Sequence, residues 1–307
     1  MKLEKLEYKQ KFIDRYSKLT DWKSFEEINN FFLRKSVRVN TLKISVNDFK
    51  KKIKDWKLIK IPWCAEGFWI KHDERSDVGN LLEHQLGFCY VQEAASMIPP
   101  IVLNPKPGDV VLDMCAAPGS KTTQLSQYMN NEGVLIANDI TGDRLSSLGI
   151  NVQRMGITNV IISKISGERL TGVYDKILLD APCSGTGTIR KSTKTVKQWN
   201  PDTVRRLQKL QKKLIIHAFE NLLKPGGVMV YSTCSLEPEE DEEVISYLLS
   251  KTNAVIEEIK LDIKRSPAIL EFEDKIYPVS VKNCLRLWPQ DNDTEGFFVC
   301  KIKKPEK

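Results

Sequence analysis

The sequence predicts an α/β fold with a seven-stranded, mostly parallel sheet, preceded by a helical segment and a small α+β region. Three observations lead to this prediction. Strand-like apolar runs recur from residue 110 onward, helical stretches separate most of them, and a Pro/Gly turn at 105–109 precedes the first run. Strands that alternate with helices indicate a parallel sheet with helices on both faces. The 307 residues are enough for one large domain or two modest ones.

The residues before this turn are expected to form a smaller part of the chain. Apolar residues at helical spacing predict two helices, over 5–19 and 24–35. Residues 37–61 have the pattern of strand, helix and strand, and a short strand leading into a helix is expected within 83–103. The expected organisation is a helical segment 1–35, a basic α+β region 36–104 and a large domain 105–307.

The large domain contains the regular alternation. Its expected strands cover residues 110–115, 134–139, 159–165, 176–182, 228–234, 255–261 and 297–303. Its expected helices cover residues 120–129, 142–155, 202–223 and 238–250. The Leu-Lys-Pro-Gly-Gly sequence at 223–227 predicts the end of a helix and a turn before the fifth strand.

Positive charge is concentrated in two parts of the chain. The net charge is +7, and residues 1–72 have 18 Lys and Arg against nine Asp and Glu, a local net of +9. Residues 186–216 hold nine further cations against Asp202 alone, followed by an acidic run at 237–243. Two separated basic regions predict a surface that follows the phosphates of a nucleic acid. Ordinary solvated helix faces are the alternative.

Composition excludes several kinds of site. The seven cysteines include no CxxC pair, so no zinc site or other metal site is predicted. The three histidines lie in no motif, which leaves acid–base work to aspartate or cysteine. No apolar run approaches the roughly 20 residues that span a bilayer, and the charged start lacks the apolar core of a secretory signal. A cytoplasmic protein that does not bind a membrane is expected.

The first two strands of the large domain end in residues suited to an adenosyl ligand. Small residues after Cys115 allow the backbone to approach a ligand, and the next helix offers free N–H groups. The sequence fits neither the Walker loop nor GxGxxG, which disfavours phosphate binding. Asp139 suits a ribose diol, although a helix cap is an equal alternative. Arg144 could stack on adenine or lie on a helix face.

Two cysteines follow later strands, each in a turn of small residues. Asp180 precedes Pro182 and Cys183, so its backbone is held extended. Cys234 follows the next strand and precedes a predicted helix, whose N-terminus would lower the pKa of the thiol. A cysteine beside an aspartate, with a second cysteine about fifty residues on, fits thiolate addition to a poorly reactive ring. A turn aspartate with buried thiols is the structural alternative.

At these motifs the chain resembles the Nop/Sun-type RNA cytosine-5 methyltransferases. The long motifs are DMCAAPGSKT (113–122), DAPCSGTGTIRK (180–191) and YSTCSLEPEE (231–240), with weaker support from 38–43, 90–100 and 286–304. The resemblance covers nearly the whole chain and is strongest to compact archaeal members that act on tRNA. It implies a Rossmann-like fold, S-adenosyl-L-methionine as cofactor, RNA as substrate, a monomer and an RNA-recognition-like basic region. That region lacks a run of aromatic residues, so backbone and shape contacts to RNA are expected rather than stacking on its sheet.

The resemblance also implies residue roles. Cys234 matches the nucleophile that adds to carbon-6 of cytosine, and Cys183 matches the cysteine that assists proton removal and release. Asp180 matches the residue that bonds ring nitrogen 3 and the exocyclic amine, and Lys121 matches a lysine near the base. The positions that match cofactor contacts are Cys115, Ala116, Ala117, Pro118, Gly119, Ser120, Lys121, Asp139, Arg144 and Asp180.

The chain departs from the family pattern at two places. Ser166 and Gly167 stand where many relatives have an aspartate near the adenine, and Gln290 and Asp291 stand where many have a histidine. Neither departure touches the covalent chemistry. Three alternatives to a tRNA enzyme stay open at this point: the same reaction on ribosomal RNA, a DNA or protein methyltransferase, and a non-catalytic RNA-binding protein.

Overall fold

The structure, a computed structural model, describes residues 6–75 and 77–306. The first predicted helix begins at residue 5, which lies outside these ranges, and its described part is shorter than expected. The α-helices are α1 (Gln10–Tyr16), α2 (Trp22–Asn29), α3 (Val46–Lys52), α4 (Leu82–Gln85), α5 (Ile98–Leu103), α6 (Ser120–Tyr128), α7 (Gly142–Met155), α8 (Lys194–Gln198), α9 (Pro201–His217), α10 (Glu242–Lys251) and α11 (Pro289–Asn292). The strands are β1 (Ser36–Val39), β2 (Lys57–Lys60), β3 (Gly67–Lys71), β4 (Cys89–Val91), β5 (Val110–Asp113), β6 (Val134–Asn138), β7 (Val160–Ser163), β8 (Tyr174–Asp180), β9 (Leu223–Thr233), β10 (Val255–Glu257), β11 (Glu271–Phe272), β12 (Lys275–Ile276), β13 (Leu285–Leu287) and β14 (Phe297–Lys303).

The large sheet has the order β10–β14–β9–β8–β5–β6–β7. The five strands from β9 to β7 in this order are parallel, whereas β14 runs antiparallel to β9 and to β10. All seven predicted strands are present, and the short strand β13 adds an eighth beside β14. The predicted α/β fold with a mostly parallel sheet is confirmed. Strand β9 starts at Leu223, so the turn expected at 223–227 is part of the strand, with a register irregularity opposite Tyr174 and Lys176.

Both faces of the sheet are buried, as expected for parallel strands covered by helices. Along β8, Ile177 and Leu179 belong to the core shared with α9 and α10, whereas Leu178 belongs to the core on the opposite face, shared with α5 and α6. Side chains of a strand alternate between faces, so each strand contributes to both cores. This arrangement leaves the carboxyl ends of β5, β6, β8 and β9 together at one edge.

The small N-terminal sheet has the order β2–β3–β1–β4, and all its pairs are antiparallel. Helices α3 and α4 lie in the connections from β1 to β2 and from β3 to β4. The RNA-recognition-like α+β region is therefore present. The sequence prediction missed β3. A tight turn separates the strands, with the Gly67 N–H bonded to the Cys64 carbonyl at 3.1 Å.

Buried polar contacts join the small sheet to the large domain. Arg38 of β1 is fully buried, and its guanidinium donates to Thr123 Oγ1 of α6 at 2.9 Å and to the Gln127 side chain. The same guanidinium donates to Gln92 Oε1 at 2.8 Å. Gln124 of α6 donates to the carbonyl of Met97 at 2.9 Å. Helix α6 of the large domain is thus bonded to the N-terminal part of the chain at several points.

The second basic region, residues 186–216, is not one continuous helix. It contains an irregular segment, α8 and α9, and two of its cations are structural. Arg190 is only 4% exposed, and Lys212 forms an ion pair with Glu243 at 2.8 Å. Lys191 and Lys194 point outward and remain candidates for phosphate contacts. The sequence could not distinguish these cases, because burial depends on what packs against the segment.

No helix within residues 6–75 and 77–306 has both the length and the apolar character needed to cross a bilayer.

Candidate active site

The predicted site residues converge on one cavity at the carboxyl edge of the large sheet. The cavity has a volume of about 390 Å³. Seven predicted site residues line it, namely Cys115, Ala117, Asp139, Arg144, Asp180, Cys183 and Cys234. The other predicted cofactor contacts, Ala116, Pro118, Gly119, Ser120 and Lys121, form the loop beside the cavity and the first turn of α6. Parallel strands bring these distant segments together because their carboxyl ends share one edge.

The loop after β5 lies close against the rest of the domain. Gly119 has φ of 104°, and a Cβ there would lie 2.8 Å from Leu148 Cδ1. The Ala116 N–H donates to the Asn138 carbonyl at 2.7 Å, which ties the loop to β6. Burial, together with the nearby Asp113 carboxyl, raises the pKa of the Cys115 thiol well above its usual value. Cys115 therefore lines the cavity and does not act as a nucleophile.

Asp139 is held in place at the end of β6. Its carboxylate accepts from the Ala117 N–H at 3.2 Å and from the Thr141 N–H at 3.0 Å. Helix α7 starts at Gly142 without a side-chain cap, so Asp139 does not act as the cap that was the alternative. Arg144 pairs with Asp139 at 3.4 Å and donates to the Ala117 carbonyl. Both residues therefore shape the loop as well as the cavity.

Asp180 lies between a lysine and a serine. Its carboxylate accepts from Lys121 Nζ at 2.6 Å and from Ser232 Oγ at 2.7 Å. Burial by itself lowers the pKa of Lys121, but the adjacent Asp180 outweighs burial and the pKa is raised. The lysine therefore stays charged, and the carboxylate is held in a fixed orientation at the cavity wall.

The two predicted catalytic thiols meet at the cavity. Cys183 Sγ and Cys234 Sγ are 3.3 Å apart, and both cysteines are partly exposed. The hydrogen bond between the thiols, reinforced by burial, raises the pKa of Cys183 well above its usual value. Cys183 is thus kept as a neutral thiol beside Cys234. The pair can divide the work between an attacking sulfur and a neighbouring proton carrier.

The predicted helix N-terminus at Cys234 is not observed. Helix α10 begins at Glu242, eight residues further on, and a turn occupies the interval. The prediction that a helix N-terminus lies next to this thiol is therefore wrong. The acidic run that was predicted as a helix start instead folds into the protein, where Glu237, Glu240, Asp241 and Glu242 are fully buried.

Glu240 is a site residue that the sequence analysis missed. Its carboxyl accepts from the Ser184 N–H at 3.0 Å, from Ser235 Oγ at 2.5 Å and from Gln211 Nε2 at 3.2 Å. Ser184 and Ser235 each follow one of the two cysteines, so this one carboxyl links both cysteine turns. Burial raises the pKa of Glu240 to about 7. Because Glu240 lies in an acidic run, its sequence context indicated a surface residue.

Arg286 is a second residue that the sequence analysis did not single out. It lies in β13, is fully buried, and pairs with Glu242 and, at 2.9 Å, with Asp241. Asp241 in turn accepts from Thr233 Oγ1 at 2.5 Å, immediately before Cys234. The signal was available, because a single arginine in an apolar strand needs an acidic partner.

The cavity fits an adenosyl cofactor that carries an amino acid. Its volume lies within the roughly 300–1,000 Å³ of small-molecule sites. Small residues and backbone groups form one wall, and the carboxylates of Asp139 and Asp180 lie at its edge. These suit the hydroxyl and ammonium groups of S-adenosylmethionine. Within residues 6–75 and 77–306, no group of three His, Cys, Asp or Glu side chains is arranged to hold a metal ion.

Family models match almost the whole chain. The model described as 16S rRNA methyltransferase RsmB/F matches residues 100–303, and that described as the N-terminal domain of 16S rRNA methyltransferase RsmF matches residues 9–94. Fold and site together define a class I methyltransferase that depends on S-adenosylmethionine. The chain belongs to the RsmB/F, or Nop/Sun-type, family of RNA cytosine-5 methyltransferases. Family membership confirms the resemblance and disfavours a DNA or protein methyltransferase.

Named relatives and solved structures agree with this family. The chain is 46% identical to the tRNA (cytosine(49)-C(5))-methyltransferase of Pyrococcus abyssi, over 96% of both chains. It is 42% identical to the ribosomal RNA small subunit methyltransferase F of Psychromonas ingrahamii, covering 89% of this chain but 57% of that protein. A crystal structure of a methyltransferase homologue from Pyrococcus horikoshii is 40% identical, with a TM-score of 0.86, covering 97% of this chain and 95% of that one.

Proposed function

We propose that this protein methylates carbon-5 of cytosine in tRNA, with cytosine 49 as the target. The observation that carries the chemistry is the pair of thiols 3.3 Å apart beside the Lys121–Asp180 ion pair. The choice of tRNA is supported by similarity along the whole length of a tRNA enzyme, whereas the chain spans little more than half of the ribosomal RNA relative.

The thiols overcome the low reactivity of the base. Carbon-5 of cytosine is a weak nucleophile, and addition of the Cys234 thiolate to carbon-6 moves an electron pair toward carbon-5. S-adenosylmethionine supplies the methyl group as an electrophile. Loss of the carbon-5 proton then allows the bond between Cys234 sulfur and carbon-6 to break, which restores the aromatic ring and the thiolate. Once the Cys234 sulfur is bonded to carbon-6 it no longer holds Cys183 as a neutral thiol, and the Cys183 sulfur, 3.3 Å away, then acts in its thiolate form as the base that accepts the carbon-5 proton.

Asp180 and Lys121 hold the base during addition. Asp180 hydrogen-bonds ring nitrogen 3 and the exocyclic amine, which offsets the charge that develops on the ring. Ser232 and Lys121 keep that carboxyl group in a fixed orientation. The target base has to leave its stack to reach this buried position.

Two variants test the mechanism. Cys234→Ala should abolish turnover and covalent trapping on tRNA that contains 5-fluorocytidine, because no sulfur remains to attack carbon-6. Cys183→Ala should still add to the base but release it slowly, so an RNA-linked protein should accumulate and be visible on a denaturing gel. A covalent adduct in Cys234→Ala would contradict the nucleophile assignment. Normal turnover without an adduct in Cys183→Ala would contradict the release role.

The substrate choice has a separate test. Purified protein is incubated with tRNA transcripts, with transcripts in which cytosine 49 is replaced by uridine, and with small-subunit ribosomal RNA, and 5-methylcytosine is mapped by bisulfite sequencing. Methylation at cytosine 49 supports the proposal, and methylation of ribosomal RNA alone supports the alternative. No methyl transfer to any RNA would support a non-catalytic RNA-binding protein.

The same proposal includes the organisation of the chain. We divide it into a helical segment 1–35, an RNA-recognition-like region 36–104 and a methyltransferase domain 105–307. A monomer in the cytoplasm is consistent with a tRNA substrate. Sedimentation of the purified protein with and without tRNA tests the monomer.

A further inference from the structure

A second cavity lies between the N-terminal region and the large domain. Its volume is about 680 Å³, and it does not share lining residues with the cavity described above. One wall comes from residues 32–36, 77–79 and 91–93, and the other comes from residues 190–194 and Glu295. Neither the family assignment nor the proposed chemistry gives this cavity a role.

Arg190 holds the two walls in fixed positions. Its buried guanidinium donates to the carbonyls of Phe31 at 3.1 Å and Phe32 at 3.0 Å. It also donates to the Thr294 carbonyl at 3.3 Å, next to Glu295. One cation therefore fixes the backbone on both sides of the cavity, which makes the cavity a built site rather than a gap between two parts of the chain.

Glu295 lines this cavity and has an unsatisfied acceptor. The residue is only 4% exposed, and its Oε1 atom has no hydrogen-bond partner among the described residues. Its backbone N–H donates to Glu93 Oε1 at 3.2 Å, which links the backbone of Glu295 to the opposite wall of the cavity. A buried carboxyl oxygen without a partner is costly, and a ligand with an N–H group would remove that cost.

The rest of the cavity supplies the other contacts of a nucleotide. Phe32 is 51% exposed although its backbone is fixed, so its ring offers a stacking face. The exposed ammonium groups of Lys191 and Lys194 lie at the opposite wall, and neither has an ion-pair partner in the described part of the chain. An aromatic face with nearby cations is the common pattern for binding single-stranded nucleic acid.

The cavity is connected to the catalytic cysteines through the backbone. Gly296, next to Glu295, donates its N–H to the Gly187 carbonyl at 2.9 Å, and Gly187 donates to the Cys234 carbonyl at 2.9 Å. Glu295 is therefore two hydrogen bonds from the segment that carries the nucleophile. A strand of RNA whose target base reaches Cys234 can place a neighbouring nucleotide here.

We propose that this cavity binds one unpaired nucleotide next to the target cytosine, with its base stacked on Phe32 and its exocyclic amine bonded to Glu295. The phosphate is held by Lys191 or Lys194. The inference rests on the proposed RNA substrate. Adenine, cytosine and guanine carry an exocyclic amine, whereas the ring N–H of uracil lies between two carbonyl oxygens that a carboxylate repels, so the site disfavours uracil.

The test is a double-mutant cycle that combines protein variants with single changes in the RNA. The dissociation constant is measured by filter binding without cofactor, for transcripts with one abasic residue within three nucleotides of cytosine 49. At one position the wild-type protein should lose about tenfold in affinity, the loss expected for one stacked base. Phe32→Ala should show a similar loss on intact tRNA and no further loss at that position. Ile276→Ala, another exposed apolar residue, serves as the control.

Glu295→Gln tests the selectivity. At the same position, uridine should weaken wild-type binding about tenfold, and the variant should discriminate less, because an amide can both donate and accept. Additive losses at every scanned position, or equal discrimination by both proteins, would overturn the proposal. These binding outcomes do not depend on methyl transfer, so a failure of the proposed reaction is detected separately by bisulfite mapping.

Discussion

Glu240 illustrates how a single buried carboxyl can organise the site without touching the substrate. It accepts from residues that follow Cys183 and Cys234, so it sets the separation of the two cysteine turns. Burial disfavours the charged form of such a carboxyl, whereas hydrogen bonds from its donors favour that form. Burial is the stronger effect here, because the pKa of Glu240 is raised to about 7.

The pKa of Glu240 predicts a change of stability with pH. The folded protein binds this proton more tightly than the unfolded chain, whose reference pKa is 4.5. The contribution of Glu240 to the free energy of unfolding is therefore largest at low pH and declines between about pH 4.5 and pH 7. Glu240→Gln removes this dependence, so from pH 5 to pH 8 the wild-type protein should lose about 2 kcal/mol relative to the variant.

Urea unfolding at several pH values checks this prediction. Glu271→Gln, a change at an exposed carboxyl, should leave the wild-type dependence on pH unchanged. The same pH dependence in Glu240→Gln as in wild type would show that the proton is bound elsewhere. Methylation assays at the same pH values would show whether the rate of methyl transfer changes with the protonation of Glu240.

At the scale of elements, the short turn after Cys183 is fitted between two other segments. Gly187 bonds Cys234 through its N–H and Gly296 through its carbonyl, both at 2.9 Å. A Cβ at this position would lie 2.8 Å from the Cys234 carbonyl and closer still to the Gly296 carbonyl. Both neighbours are backbone atoms, so neither can move aside without moving its segment.

Gly187→Ala should therefore displace the segment that carries Cys234. We expect a loss of about 1–3 kcal/mol in the free energy of unfolding, as for other overpacked positions. We expect the rate of covalent trapping to fall by about tenfold or more, because small displacements of reacting groups are costly. Urea unfolding and trapping on 5-fluorocytidine tRNA measure the two effects.

Gly149→Ala is the matched control, since Gly149 lies in α7 and a Cβ there meets nothing within 4 Å. That variant should be as stable as wild type or more stable, because alanine favours a helix over glycine. Equal trapping by Gly187→Ala and Gly149→Ala would show that the two cysteine turns are not coupled through Gly187.

At the scale of the whole molecule, one buried arginine connects the N-terminal sheet to the cofactor side of the large domain. Arg38 of β1 reaches α6, and α6 begins at the loop that lines the cavity. Its acceptors are neutral side chains, and burial lowers the pKa of Arg38. The contact therefore links the RNA-recognition-like region to the helix that carries Lys121.

Arg38→Leu should destabilise the protein through its acceptors. The side chains of Gln92, Gln127 and Thr123 would lose a common donor inside the protein. Loss of such a network costs about 2–4 kcal/mol. Urea unfolding measures this, with Lys57→Met on the exposed surface of β2 as the control. A change no larger than that of the control would show that Arg38 does not help to join the two parts of the chain.

The class of enzyme and the residue roles were implied by the resemblance of the long motifs to a known family. The amino-acid sequence alone predicted the alternation of strands and helices and the residues that meet at the cavity. These follow from local patterns, because the apolar periodicity identifies the strands and parallel strands end at one edge. Motifs of small residues at those ends then identify Cys115, Asp139, Asp180, Cys183 and Cys234.

Which charged residues are buried became known from the packing of the folded chain. Glu240, Arg190 and Arg38 look like surface residues in the sequence, yet each is buried and bonded to segments that are far away along the chain. The structure also removed the helix N-terminus expected at Cys234 and revealed the unsatisfied carboxyl of Glu295. Burial of a charge depends on partners brought together by folding, and the periodicity of a single segment contains no information about those partners.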